Sequence, residues 1–166
     1  MRTAIIDSSP LINLVHLGLA DKLSEIFDAV FIPRHVRDEV NRKSKFRYRL
    51  KKLLESEYFQ RCDFLDHANF LFWQERGLHN GEAAALSQAQ EHDVPYLIVD
   101  ESEARKECRK LRQISAVGTS RIIFRLHLEG YVEDPSAAIR KLQKDLGFRI
   151  SKNVIEDSIA LASIRI

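Results

Sequence analysis

Short apolar segments alternate along the chain with longer stretches in which apolar residues recur at helical spacing. Each apolar segment is bounded by turn or capping residues. The segments are 3–6, 96–99, 114–117 and, more weakly, 29–32. Strands that are apolar on both faces and are separated by helices are typical of parallel βαβ units. The pattern therefore predicts an α/β sandwich with a buried central sheet.

The helices are predicted from apolar spacing and from residues that favour helix starts and ends. Ser8, Ser9 and Pro10 supply a hydroxyl cap and a first-turn proline ahead of LINLVHLGL. Pro33 opens a second helix that runs to about Asn41. Further helices are predicted at 46–54, at 64–73, from Glu82 behind an Asn80 cap, from a Thr119 or Ser120 cap to Glu129, at 135–147 and at 154–166.

Two acidic residues follow directly on predicted strands. Asp7 comes after the first strand and Asp100 after the segment 96–99. Either residue alone is typical of a turn or a helix cap. Together they indicate a site, because ligands of parallel sheets bind outside the carboxyl ends of the strands. Glu82 at a predicted helix start and Glu39 on a helical face are the other candidates, with dipole complementation and solvation as their ordinary roles.

Composition bounds the molecule without naming its function. The chain has 166 residues and 45% hydrophobic content, the size of one domain that buries roughly 70% of its unfolded surface. We find no linker or repeat and predict a single domain over 1–166. The net charge of +2 makes any nucleic-acid argument depend on local patches.

The two cysteines and the N-terminal residues favour a cytoplasmic protein. Two cysteines without a CxxC pair give no disulfide framework. The opening MRTAIIDSSPLINL lacks the uninterrupted apolar stretch of a signal peptide. No run approaches the ~18 apolar residues that span a bilayer, so we expect no membrane association.

Convergence of the four carboxylates would require compensation for their repulsion. Either their pKa values rise as a coupled group, or the site binds a divalent cation. Oxygen ligands without nearby Cys or His select hard ions, Mg²⁺ or Mn²⁺. That combination typically serves hydrolysis at phosphorus.

Basic residues are concentrated between 34 and 52, directly around and after Glu39. Such a run is usually a solvated face, but beside an acidic metal site it also suits an RNA backbone. A second basic stretch, 105–112, follows Asp100. The predicted RNA-binding residues are Arg37, Arg42, Lys43, Lys45 and Arg105.

Other chemistries have weaker support. Cys62 and His67 lack the further ligands of a zinc site. The chain has no glycine-rich phosphate loop and no GxSxG elbow. A phosphoacceptor receiver domain needs two adjacent acids after the first strand, where this chain has Asp7 and Ser8, and a lysine after a late strand, where it has Thr119.

Four segments, in their order and spacing, resemble PIN-domain proteins over nearly the whole chain. The resemblance is to a prokaryotic subgroup whose first strand ends in Asp-Ser/Thr-Ser-Pro-Leu-Ile. The segments are AIIDSSPLINL, PRHVRDEV, GEAAALSQAQ and YLIVDESEARKECRKLRQISAVGT. The resemblance implies a three-layer α/β/α sandwich around a mainly parallel sheet of about four to five strands.

The same resemblance implies a metal-dependent endoribonuclease, often the toxin of a toxin–antitoxin pair. By position, the catalytic and metal-binding acids are Asp7, Glu39, Glu82 and Asp100. The supporting residues are Ser9, Glu101, Glu103 and Thr119, of which Ser9 would orient Asp7 or a water. The departures are Ser8 where threonine is common and Glu82 where many PIN proteins have aspartate.

The regions outside these motifs are a basic helical insertion around 42–57 and a C-terminal helical segment, 135–166. The insertion is a candidate for homodimerisation or for binding an antitoxin through Phe46, Leu50 and Leu54, and packing these residues into the core is the simpler alternative. We expect RNA as the partner, with an antitoxin protein and a second copy as further partners. The alternative function is a PIN-fold module that binds RNA or protein without catalysis.

Overall fold

The computed structural model describes residues 1–63, 67–164 and 166, without the side chain of Ser44. The helix predicted over 64–73 begins outside the described residues. In chain order the elements are β1 Thr3–Ile6, α1 Ser8–Leu17, a 3-10 helix Ala20–Glu25, β2 Ala29–Pro33, α2 Arg34–Arg42, α3 Ser44–Leu53, β3 Phe59–Cys62, α4 His67–Glu75, α5 Asn80–Glu91, β4 Tyr96–Ile98, α6 Ser102–Lys110, β5 Ser115–Val117, α7 Thr119–Leu128, α8 Pro135–Leu146 and α9 Lys152–Ala162.

The strands form one sheet in the order β3-β2-β1-β4-β5. All neighbours pair in parallel, with Ala4 opposite Val30 on one side of β1 and opposite Tyr96 on the other. The predicted parallel α/β architecture is confirmed. Because β1 and β4 are adjacent, the residues that follow them share one edge of the sheet.

The edge strand β3 was not predicted as a strand. Its sequence, Phe-Gln-Arg-Cys, buries only its two ends and pairs only with β2. Four residues with two exposed polar side chains give too weak an apolar signal to be recognised from sequence.

Apolar side chains on alternate residues of the strands fill two cores, one on each face of the sheet. Ala4 and Ile6 belong to the core that α1, α2, α3, α7 and α8 cover. Ile5 and Leu97 belong to the other core, which α4, α5 and α6 cover. This arrangement is the predicted three-layer α/β/α sandwich.

The inner face of α3 is part of the first core. Phe46 and Leu50 are buried there, and Leu54 packs against the same cluster. These residues are therefore not available as the edge for an antitoxin or a second copy, and packing into the core is the account that holds. Tyr48 is the large apolar side chain that α3 exposes.

In three helices the N-cap residue lies before the residue that the sequence predicts as the cap. Asp7, His79 and Gly118 occupy the N-cap positions of α1, α5 and α7. The predicted caps (Ser8 or Ser9, Asn80, and Thr119 or Ser120) therefore lie in the first turns instead. In two cases the displaced hydroxyl bonds a carboxylate of another segment, with Ser8 donating to Glu39 and Thr119 to Asp100.

Two further expectations concern the cysteines and the membrane. Cys62 and Cys108 are both free and buried. Among the described residues, none of the helices combines the length and the apolar character needed to cross a bilayer.

Candidate metal-binding site

The candidate site lies where β1 and β4 end side by side. Ile6 pairs with Ile98, and the Asp7 N–H donates to the Ile98 carbonyl across 3.0 Å. Asp7 then caps α1, while Asp100 lies in the short segment between β4 and α6. The parallel register therefore delivers both carboxylates to one edge of the sheet, as the sequence predicts.

Asp7 is an acid whose surroundings strongly disfavour the charged carboxylate. Only 4% of the residue is exposed. Burial raises its pKa to about 7, and the charges of Glu82, Glu39 and Asp100 act in the same direction, while the Ser8 backbone N–H opposes them. Each of the three other candidate acids therefore lies close enough to destabilise the Asp7 carboxylate.

Glu39 comes to Asp7 from α2. Its Oε2 accepts a 2.6 Å hydrogen bond from Ser8 Oγ, and its Oε1 lies 3.6 Å from Lys43 Nζ. A Cβ on Gly81 would lie 2.8 Å from Asp7 Oδ1 and 3.4 Å from Glu39 Oε2. The first turn of α5 therefore packs directly against both carboxylates, and a glycine allows this approach.

Glu82 enters from the first turn of α5. It is buried, and its Oε2 accepts the backbone N–H of His79 across 2.9 Å. Burial raises its pKa against that hydrogen bond, with smaller contributions from the negative charges of Glu101 and Glu39. The helix N-terminus favours a carboxylate here, as predicted, but also ties one oxygen to the cap.

Asp100 is surrounded by donors. Thr119 donates its N–H to Oδ1 across 2.7 Å and its hydroxyl to Oδ2 across 2.6 Å, and Asn13 Nδ2 lies 3.1 Å from Oδ2. Burial still raises the Asp100 pKa, while these donors and the charge of Arg105 lower it. Asn13 was missed from the sequence, although a buried amide in the apolar face of LINL is the signal that could have found it.

The predicted supporting residues have different positions. Ser9 and Glu101 line the groove beside Asp100, and Thr119 contacts Asp100 directly. Glu103 is exposed on α6, where it lies 3.6 Å from Lys106. Glu101 is thus the second acid that adjoins the site, and Glu103 forms a surface ion pair of its own helix.

The predicted RNA-binding cations separate into three groups. Arg37 is held by the Ile32 carbonyl at 2.7 Å and by Asp63 at 3.2 Å. Arg42 and Lys45 are exposed. Lys43 and Arg105 line the same groove as Asp100. The groove has a volume of about 780 Å³. It is also lined by residues 146–151, which run from the last residue of α8 to the N-cap of α9.

The amino-acid sequence identifies the family of this protein. A family model described as a PIN domain matches residues 3–163. The chain belongs to the PIN-domain family. Proteins of this family are generally nucleases and typically use divalent metals.

A solved structure shares the PIN-like fold. A chain of a toxin–antitoxin complex from Klebsiella pneumoniae superposes with a TM-score of 0.52 at 22% identity, over 70% of this chain and 97% of that one. No curated protein matches this chain.

The donor set of this PIN domain fits a hard divalent ion in kind. The acids that face one another supply only oxygen, which Mg²⁺ and Mn²⁺ prefer. Within 1–63, 67–164 and 166, however, no three His, Cys, Asp or Glu side chains are close enough together to hold an ion. Glu39, Glu82 and Asp100 each accept a hydrogen bond in this arrangement, and binding an ion requires these carboxylates to move closer together.

Proposed function

We propose that this PIN-domain protein is a Mg²⁺- or Mn²⁺-dependent endoribonuclease that hydrolyses RNA phosphodiester bonds. The observation that carries the proposal is the environment of Asp7, a buried carboxyl with a pKa of about 7 that faces three other acids. Gathering four carboxylates at one place, with Asp7 and Glu82 buried, is unfavourable unless a cation compensates their charge.

The ion would be held by Asp7, Glu39, Glu82 and Asp100. When bound, a divalent ion supplies Lewis acidity and neutralises charge that develops on the phosphate. Thr119 and Asn13 fix the orientation of Asp100, and Ser8 fixes that of Glu39. These contacts orient the oxygen ligands, and binding of an ion then requires the carboxylates to move closer together.

Lys43 and Arg105 are the proposed phosphate contacts nearest to the acids. Both line the groove that contains Asp100. Arg42 and Lys45 are exposed and stay as candidates for weaker contacts. We leave Arg37 out of this surface, because its guanidinium already binds Ile32 and Asp63.

Cleavage of a labelled single-stranded RNA with and without Mn²⁺ tests the function. We expect Mn²⁺-stimulated cleavage by the wild-type protein, and a loss of at least about 100-fold for Asp7→Asn and Asp100→Asn, since each removes a charged ligand. Glu103→Gln is the matched control, because Glu103 is exposed and pairs with Lys106. Mn²⁺-stimulated cleavage that survives in both aspartate variants would exclude this site.

The second candidate function is a PIN-fold module that binds RNA or protein without cleaving RNA. The spacing of the acids favours it, because the described residues offer no ready-made group of three metal ligands. Calorimetric titration distinguishes the two functions. A binding module takes up RNA but no Mn²⁺, whereas the nuclease takes up both.

We further propose an antitoxin protein partner, by analogy with the toxin–antitoxin chain that shares the fold. An RNA substrate and two free cysteines would place the protein in the cytoplasm. Growth arrest on expression, relieved by Asp7→Asn, tests the toxin activity. Sedimentation tests the proposed homodimer, in which the exposed Tyr48 is the candidate contact of α3.

A further inference from the structure

Four arginines of the basic tract between 34 and 52 have hydrogen bonds or ion pairs within the protein. Arg47 Nε donates to the Asn41 carbonyl and Arg49 Nη1 to the Val15 carbonyl, both across 3.1 Å. Arg34 lies 3.8 Å from Asp38, and Arg37 binds backbone and Asp63. These contacts restrain the side chains of four arginines but leave Arg42, Lys45, Lys51 and Lys52 of the same tract exposed.

A second set of arginines, which we call the α6 track, forms no ion pair with a carboxylate in the part of the chain that the structure describes, although Arg121 Nη2 donates to the Ile164 carbonyl across 3.4 Å. Its members come from α6, from the segment after it, from α7 and from the α8–α9 connection. They are Arg105, Arg109, Arg112, Arg121 and Arg149. None of them lies within 4 Å of a carboxylate among the residues that the structure describes. Their charges are available to an anionic ligand.

The track continues the groove of the acids into a second pocket. Arg105 and Arg109 line both the acidic groove and a neighbouring pocket of about 430 Å³. Arg112 and Arg121 also line that second pocket. Among the described residues, no acidic side chain lines it. A concave surface lined by four guanidinium groups fits a phosphate.

Arg121 gives independent support for an anion at this pocket. Its Nε–H is buried and has no hydrogen-bond acceptor within the described part of the chain. Burial of this guanidinium also lowers its pKa. A buried donor of this kind is costly to leave unpaired, and a phosphate oxygen would pair it.

The wall opposite α6 combines a cation with an aromatic ring. Residues 147–151 connect α8 to α9 and line the acidic groove, with Phe148 partly buried and Arg149 exposed. An aromatic face beside positive charge is the usual platform for an unpaired base and its phosphate. Walls on both sides of the groove favour one strand over a duplex.

We infer that a single-stranded RNA binds along the α6 track, from the acids past Arg105 and Arg109 to a phosphate site at Arg112 and Arg121, with Phe148 and Arg149 opposite. This inference rests on the proposed nuclease function, since it identifies the path of that substrate. Continuity with the acids and the aromatic wall favour nucleic acid over an acidic protein segment. Within the basic tract between 34 and 52, Lys43 lines the groove of the acids and adjoins this path, whereas we expect the cations of α3 to contribute little to it.

Binding without cleavage tests the path. Fluorescence anisotropy of a short labelled oligoribonucleotide is measured in EDTA over a series of KCl concentrations. We expect the salt slope of log K for Arg109→Ala/Arg112→Ala to fall by about 1.4, at ~0.7 for each lost phosphate contact. Lys51→Ala/Lys52→Ala removes the same charge from α3 and is expected to leave the slope unchanged. Circular dichroism checks that both double variants are folded.

Two results would overturn the path. One is an equal loss of slope in both double variants, or no loss in either. The other is displacement of the RNA by poly-glutamate as effectively as by an unlabelled single strand, which would assign the arginines to an acidic protein partner. A base-paired hairpin that competes as well as the single strand would overturn the assignment to one strand.

Failure of this inference is distinguishable from failure of the nuclease function. RNA that binds along the track but is never cleaved with Mn²⁺ retains the path and removes the nuclease. Mn²⁺-dependent cleavage that proceeds unchanged in Arg109→Ala/Arg112→Ala, with an unchanged salt slope, retains the nuclease and removes the path.

Discussion

The ends of β1 and β4 carry the same residue type in opposite surroundings. Asp100, after β4, accepts hydrogen bonds from Thr119 and Asn13 and lies beside Arg105. Asp7, after β1, has the Ser8 N–H as its one stabilising contribution and three acids against it. Two equivalent positions of a parallel sheet thus hold a carboxylate that is fixed by hydrogen bonds, Asp100, and one that is destabilised by neighbouring acids, Asp7.

The difference teaches which acid responds to an ion. Asp100 is fixed in place by neutral donors that act whether or not an ion is bound. Asp7 gains stability only when a positive charge arrives or when it takes up a proton. We therefore assign orientation of the site to Asp100 and sensitivity to metal and pH to Asp7.

The largest expected effect is the pH dependence of stability that Asp7 causes in the absence of metal. Its pKa is about 7 in the folded protein against 3.8 for an unperturbed aspartate, so the folded state holds the proton more tightly. The stabilisation is complete below pH ~4 and is lost as pH rises through 7, for a total of about 4 kcal/mol. Urea unfolding in EDTA measures it.

Asp7→Asn keeps an acceptor for the Ser8 N–H and does not titrate. Relative to the wild type, this variant should therefore become more stable as pH rises from 5 to 8. Glu82 and Asp100 remain in both proteins and their titration is largely shared. Parallel pH profiles for the two proteins would remove the distinction between Asp7 and Asp100.

The next largest effect is the loss of stability in Asp100→Ala. Removing this carboxylate leaves the buried Thr119 N–H and the Asn13 amide without their acceptor, at about 3 kcal/mol in total. Asp7→Ala should lose much less, because repulsion is removed along with one hydrogen bond. Urea unfolding at pH 7 compares the two, with Asp100→Asn as the variant that keeps one acceptor oxygen. Equal losses for the two alanine variants would contradict the comparison.

The smallest effect separates the glycines that adjoin the two acids. A Cβ at position 81 would lie 2.8 Å from Asp7 Oδ1, whereas one at 118 would meet the movable end of Arg105 at 3.3 Å and Asp100 Oδ1 at 3.4 Å. We expect Gly81→Ala to cost about 2 kcal/mol and to weaken Mn²⁺ binding. Gly118→Ala should lose less stability, measured by chemical denaturation, and should weaken Mn²⁺ binding less, measured by calorimetry. A greater effect at 118 would mean that the first turn of α5 does not confine Asp7.

The sequence was sufficient for the strand-end acids and for most of the fold. The end of a strongly apolar strand can be predicted from the residue at which the apolar run stops. Parallel pairing of two such strands is then enough to bring Asp7 and Asp100 to one edge of the sheet. The four strands predicted from apolar runs are present, two of them one residue shorter. Glu82 had support from its predicted helix start, whereas Glu39 depended mostly on the resemblance to PIN domains, because a glutamate on a helical face has no comparable local signal.

What the sequence could not give depends on contacts between distant segments. The sequence does not show that arginines of the 34–52 tract have partners within the protein. In the structure, the backbone carbonyls of Ile32, Asn41 and Val15 accept hydrogen bonds from three of them. Asn13 reaches Asp100 across 87 positions of sequence. Such contacts appear only once the helices have packed on the sheet.

The central claim is that the four acids bind one divalent ion and that Asp7 gives up its proton in doing so. Calorimetric titration of Mn²⁺ at pH 6, in two buffers of different ionisation enthalpy, measures the protons released on binding. We predict that the Asp7 carboxyl, with a pKa of about 7, contributes about one proton to the release by the wild-type protein, so that Asp7→Asn releases about one proton fewer. Mn²⁺ binding without proton release in the wild type, or equal affinity and release in the variant, would contradict the account.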